Sequence, residues 1–141
     1  KVVAKLLQHP THEIHVKALH ALGQIGSQDE YPYVEDYFLH NVTDRQAILP
    51  VLIRLDKQRS LSFLAQVLLG ESEIYNKLFA KADEELNETI VKTFILLRSV
   101  IFDYVLRKYV RISTRSLFGQ FRKSESVKMA ERYLKTVSTD E

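Results

Sequence analysis

The sequence predicts an all-α fold, a right-handed α–α superhelix of about seven to nine helices in which each helix pair stacks on the next. Three observations carry that expectation. Glycine and proline are scarce, 4 and 3 in 141 residues, too few for the tight turns of a β-sandwich or barrel. Apolar residues recur three or four apart along most of the chain, the spacing of one helix face. The chain also matches itself at a shift of thirty: Leu19 falls on Leu49, Leu22 on Leu52, Ile25 on Leu55, Val34 on Leu64 and Leu39 on Leu69, with His15 on Arg45. Such a period marks helical units that bury their apolar faces only on their neighbours.

The elements follow in order. Residues 1–9, with Val3, Leu6 and Leu7, read as the second helix of a truncated unit. Residues 13–26 carry Val16, Leu19, Leu22 and Ile25 on one face and close at Gly23 and Gly26, where glycine takes a left-handed backbone cheaply. A partner helix runs from about Tyr31 to His40; Ser27 and Glu30 have capping-box spacing, and Pro32 delays its regular start. Thr43 and Gln46 open the next helix, over roughly 43–56, with Pro50 as a kink. Its partner covers about 60–69 and stops at Gly70.

A third unit starts with Ile74 and Leu78 and is then interrupted by DEELNE. From Asn87, read as an N-cap, one long helix reaches Arg111. Its apolar set, Ile90, Val91, Phe94, Leu97, Val100, Ile101, Tyr104 and Val105, is too broad for a single-sided surface helix. Leu117, Phe118 and Phe121 suggest a docked turn, and Val127, Ala130, Leu134 and Val137 a final amphipathic helix. One domain is expected, with repeats over 1–86 and a long helix plus capping helices over 87–141.

Composition is that of a globular chain, 45% hydrophobic and 27% charged. Without cysteine there are no disulfides, thiolate metal sites or cysteine nucleophiles, and a reducing, cytoplasmic compartment fits. The longest uncharged run, Ser60 to Gly70, spans eleven residues against the roughly 20 that cross a bilayer. Starting at Lys1 without a Met, the chain reads as excised from a longer polypeptide, so a membrane attachment would belong to the upstream region.

No chemistry-bearing motif stands out. Three of the five histidines fall in HPTHEIH, but the spacing is HExH and not the metalloprotease HExxH. No G-x-S-x-G or phosphate-cradling glycine loop occurs, so no catalytic residue, metal or cofactor is expected. Charge is more telling. The total is only +2, yet acid collects at Asp29, Glu30, Glu35, Asp36 and Asp44, with no base among them until Arg45. Late in the chain Arg98, Arg107, Lys108, Arg111, Arg115, Arg122 and Lys123 face a single acid, Asp103. Tyr104, Tyr109, Phe118 and Phe121 interleave with them, a mix that suits phosphate contact and base stacking. Such a basic patch serves an acidic partner, lipid headgroups, nucleic acid or another part of the same polypeptide.

At PTHEIHVKALHALGQIG, residues 10–26, the chain resembles the HEAT-like repeat of the phycobilisome-lyase type. Ile14 and His15 stand at the family's apolar–Arg pair, and Ala18, Ala21, Leu22, Gly23, Ile25 and Gly26 follow at its spacing. The second unit keeps Arg45 but has Ile53 and Asp56 where the glycines would stand. The resemblance implies scaffold function first, with lyases, a metal-dependent hydroxylase and DNA-repair glycosylases on the same fold. In the hydroxylases His–Glu pairs recur between repeats, whereas here His12–Glu13 falls on Val42–Thr43. The glycosylases rely on Trp, and this chain has none. The resemblance also implies that second helices line the concave side, which offers Tyr33, Glu35, Asp36, Tyr37 and His40 to a basic peptide. A non-catalytic protein-binding or structural module is therefore expected. Nucleic-acid binding and a regulatory piece of an enzyme are the alternatives, and self-association through a helix over 88–111 is a further possibility.

Overall fold

The computed structural model describes residues 7, 11–40, 45–72, 84–115 and 123–139. Among them are seven α-helices and no strand: α1 (His12–Ile25), α2 (Tyr31–His40), α3 (Arg45–Leu55), α4 (Lys57–Leu68), α5 (Glu84–Leu97), α6 (Val100–Ser113) and α7 (Glu125–Thr139). A 3₁₀ turn, Gln28–Glu30, precedes α2. The chain divides into two compact units, residues 1–63 and 64–141.

In the first unit α3 packs against both α1 and α2. Leu19, Leu22, Leu49 and Leu52, which correspond at the thirty-residue shift, are all in the core. α2 and α4 also touch, through Phe38 on Phe63 edge-on at 5.8 Å and the Arg59 guanidinium 4.6 Å over the Tyr31 ring. Two arginines of α3 tie the helices together at their ends. Arg45, almost fully buried, donates through Nε to the Phe38 carbonyl at 3.2 Å and through Nη2 to that of Leu39 at 3.5 Å. Arg54 donates to the Gln24 carbonyl at 2.8 Å. Both satisfy carbonyls at helix C-termini, where a cation is favoured by the helix dipole.

Several expectations change here. Val16 and Ile25 lie 51% and 77% exposed; the buried face of α1 is Ala18, Leu19 and Leu22. Gly26 ends α1 in extended backbone (φ −70°, ψ 163°), not in the left-handed region. What excludes a side chain there is space: a Cβ would meet the Leu22 carbonyl oxygen and Leu55 Cδ2 at 2.6 Å each. Ser27 makes no side-chain cap, and regular helix begins at Tyr31, one residue before Pro32. α3 runs continuously through Pro50, which sits on its exposed side.

α4 closes as expected. Gly70 adopts φ +72°, its N–H bonds the Val67 carbonyl at 3.2 Å, and Glu71 N–H bonds that of Gln66 at 2.8 Å. That pair of bonds is a Schellman closure.

The second unit corrects the long helix. It is a hairpin, α5 and α6, broken at Arg98–Ser99. The two helices pack on each other, Phe94 stacks on Phe102 at 4.6 Å, and α7 packs on both. The apolar set looked too broad because residues on two helices were counted as one face. Asn87 is not an N-cap but a buried residue inside α5. α7 buries Val127 and Ala130 of its predicted face, and also Tyr133, whereas Leu134 and Val137 are half-buried. Residues 1–6, Thr43, Asp44, Ile74, Leu78, Leu117, Phe118 and Phe121, singled out in the sequence, lie outside the described residues.

Candidate functional site

Two surfaces gather the residues singled out by charge. On α2, Tyr33, Asp36 and His40 succeed one another at helical spacing, and all three are exposed, Tyr33 by 49%. His40 Nδ1–H donates to the Asp36 carbonyl at 2.8 Å, which turns the ring toward the Asp36 carboxylate, whose Oδ1 is 3.4 Å from Nδ1. The stripe is therefore an aromatic ring, a carboxylate and an imidazole on one side of one helix. Glu35 is half-buried. It lies near Tyr31, whose hydroxyl is pushed above its ordinary range first by burial and second by the Glu35 charge.

Tyr37 does not join them. It is 5% exposed, its ring meets that of His15 edge-on at 5.3 Å, and its hydroxyl pairs with His15 Nδ1 at 3.2 Å. Four residues on from Tyr33, it has turned toward the core side of α2, where Val34 and Phe38 are also buried. It packs against His15 of α1. Counting it as surface followed from composition, whereas its spacing from Val34 already placed it inward.

The second surface is the outer side of α6. Arg107 and Arg111 are exposed, one helical turn apart, and Arg115 is exposed just past the end of the helix. Lys108 pairs with Glu71 at 3.1 Å, and Lys123 with Glu131 at 2.9 Å, so the two lysines of the patch are neutralised locally. Arg122 lies outside the described residues. Of the interleaved aromatics, Tyr104 is 62% exposed and Tyr109 is buried. Sequence reasoning missed what completes this face. Val100 and Ile101 begin α6 at 83% and 70% exposure, and Leu96, at the end of α5, is 83% exposed. Arg98 is exposed in the turn between them, in left-handed backbone (φ +47°). The signal was present: an apolar set too wide for one face leaves some of it outward.

Behind this face, buried polar groups satisfy one another. Tyr133 donates its hydroxyl to Asp103 Oδ1 at 2.7 Å, and both side chains are buried. Burial first, and the bond to the Asp103 carboxylate second, raise the Tyr133 phenol above its ordinary range. Tyr109 shares a 2.6 Å hydrogen bond with Ser126, and burial likewise raises its phenol. The Ser126 N–H at the start of α7 donates to Glu84 Oε1 at 2.9 Å, a carboxylate at a helix N-terminus. A cavity of about 340 Å³ opens beside this cluster, lined by Leu68, Asn87, Tyr109, Ser113, Lys123 and Ser124. These hydroxyls point at one another and hold α5, α6 and α7 in register.

Among the described residues no three His, Cys, Asp or Glu side chains come together to hold a metal, and no helix is long and apolar enough to cross a membrane. No family model matches the chain, and no curated protein or solved structure matches it either.

Proposed function

We propose that the chain is a non-catalytic binding module of HEAT-like helical-repeat type, and that it takes a polypeptide partner bearing basic residues on the outer stripe of α2. The observation that carries this reading is Tyr33, half out in solvent, in line with Asp36 and His40 on one helix. A tyrosine gives a partner a large contact area for little lost entropy, and a neighbouring carboxylate selects Lys or Arg beside it. The repeat reading is supported by the packing of α1 and α2 on α3, and by the shared burial of Leu19 with Leu49 and of Leu22 with Leu52. A helix pair that spends its apolar face on neighbouring pairs leaves its outer residues for a partner.

A displayed library of random peptides, selected against the chain, tests it. Enriched peptides carry an apolar residue near Lys or Arg, and Tyr33→Ala or Asp36→Lys each weakens their binding by about tenfold or more. Neither change moves the thermal unfolding midpoint appreciably, since both side chains are exposed. Peptides without a basic residue, or binding that survives both substitutions, would overturn the reading.

A further inference from the structure

We infer that the outer face of α6, with the α5–α6 turn, is a docking surface for an anionic phospholipid membrane. The inference stands apart from the reading of α2, and either can fail alone. Its first support is the distribution of residues on one face. Leu96, Val100, Ile101 and Tyr104 crowd the turn and the first helical turn of α6, all more than 60% exposed. Arg107 and Arg111 continue the same side of the helix toward its C-terminus, Arg115 is exposed just beyond its end, and Arg98 sits in the turn itself. Apolar and cationic groups are thus sorted along the helix.

The second support is the charge of that face. Asp103 is the only acid between Glu88 and Glu125 in the sequence, and it is withdrawn into the core under Tyr133. The four arginines make no ion pair with another described residue. The face is therefore net positive around an apolar tip, with Glu71 already paired to Lys108. A bilayer surface offers both complements at once, acyl chains for a few aliphatic side chains and phosphates for arginine.

Other occupants fit less well. Nucleic acid would engage the arginines and Tyr104, but it offers nothing to Leu96, Val100 and Ile101, which would stay in water. A second copy meeting the face about a two-fold axis would bring arginines against arginines or against the apolar tip, and Glu71, the carboxylate beside Lys108, is already paired. No described helix is long and apolar enough to cross a bilayer, so the geometry is that of a helix lying on the surface.

The test is flotation of the 141-residue chain with vesicles of phosphatidylcholine alone and of an equimolar mixture with phosphatidylserine. The chain has no Trp, so Leu96→Trp places a single reporter at the tip. The chain is expected to float with the mixed vesicles only, and less so at high salt. Arg107→Gln with Arg111→Gln should lower partitioning about 25-fold, roughly fivefold for each charge. Leu96→Asp and Ile101→Asp should each lower it by at least about tenfold. The Leu96→Trp emission should shift to the blue and be quenched by brominated lipid. Melting curves close to that of the parent chain establish that each variant is folded.

Absence of flotation with the mixed vesicles overturns the inference. So does flotation that leaves the reporter emission unshifted and is indifferent to Ile101→Asp. Binding of a uridine homopolymer at least as tight as that of the mixed vesicles, and insensitive to both aspartate variants, would assign the face to nucleic acid instead.

Discussion

The two helix joints that bracket the candidate surfaces are built on opposite principles. The joint after α1 uses Gly26 in ordinary extended backbone, because two neighbouring atoms leave no room for a Cβ. The joint after α5 uses Arg98 in left-handed backbone, where a glycine would be at ease and a side chain is not. The first joint is closed by packing and the second carries local strain. A glycine in a sequence is therefore ambiguous between room and rotation, and the lack of one does not forbid a sharp turn. The units differ in their buried polar groups as well. The first unit buries the charge of Arg45 on the Phe38 and Leu39 carbonyls, whereas the second pairs phenols with serine and aspartate.

The strongest way to probe that difference is alkali. Tyr31, in the first unit, and Tyr109 and Tyr133, in the second, all have phenols raised above the ordinary value of 10.0, each chiefly by burial. The folded state then holds a proton that the unfolded chain releases. Stability from this source is complete below about pH 10 and falls as pH rises, by at most about 4 kcal/mol per pH unit for three such groups. Absorbance titration should show Tyr31, Tyr109 and Tyr133 ionising only as the helix signal is lost. Ionisation of all seven tyrosines with the helices intact would contradict the burial of these phenols.

Next in size is the hairpin itself. Phe94 is wholly buried and stacked on Phe102, so Phe94→Ala should cost about 3–5 kcal/mol in urea unfolding. Hydrogen exchange should show the loss of protection first in α5, α6 and α7. A cost below about 1 kcal/mol would mean that α5 and α6 do not pack as a pair, restoring the single long helix that the sequence suggested.

How much of this was legible follows the same division. Over α1 to α4 the thirty-residue match, the low glycine content and the apolar spacing located the helices to within a few residues, because the matched Leu19, Leu22, Leu49 and Leu52 pack in the core, even though Val16 and Ile25 turned outward. In the second unit the α5–α6 break was hidden: Leu97, Arg98, Ser99 and Val100 contain no helix breaker, and the turn exists because Phe94 gains a partner in Phe102. Tertiary contact decided it, and periodicity does not encode that. The candidate surfaces were half legible. Charge counts found Asp36, Arg107, Arg111 and Arg115, whereas Tyr37 was taken for surface and Leu96, at the very end of α5, was passed over.

Gly26→Ala examines the packed joint. With the Leu22 oxygen and Leu55 Cδ2 each 2.6 Å from the new methyl, one of them must shift, and the backbone oxygen does so least easily. The expected cost is about 1–3 kcal/mol, read from the thermal midpoint. Gly23→Ala is the contrast, since its Cβ would meet only Val51 Cγ2 at 3.5 Å, an ordinary contact. There the gain in helix propensity should make the change neutral or mildly stabilising. Equal costs at the two positions would refute the account of Gly26 as a residue chosen for space.

The strained joint should give the smallest effect and the opposite sign. Arg98→Gly relieves left-handed backbone and also frees the unfolded chain, two terms of similar size that oppose each other. Stability should therefore stay within about 1 kcal/mol of the parent chain, on the stabilising side. Arg98→Val removes the same charge but resists positive φ, and should be destabilising by about 1–2 kcal/mol. The pair separates conformation from charge, because both variants lose the same guanidinium. If Arg98→Gly and Arg98→Val melt together, the left-handed turn is not what joins α5 to α6, and the contrast between the two joints fails.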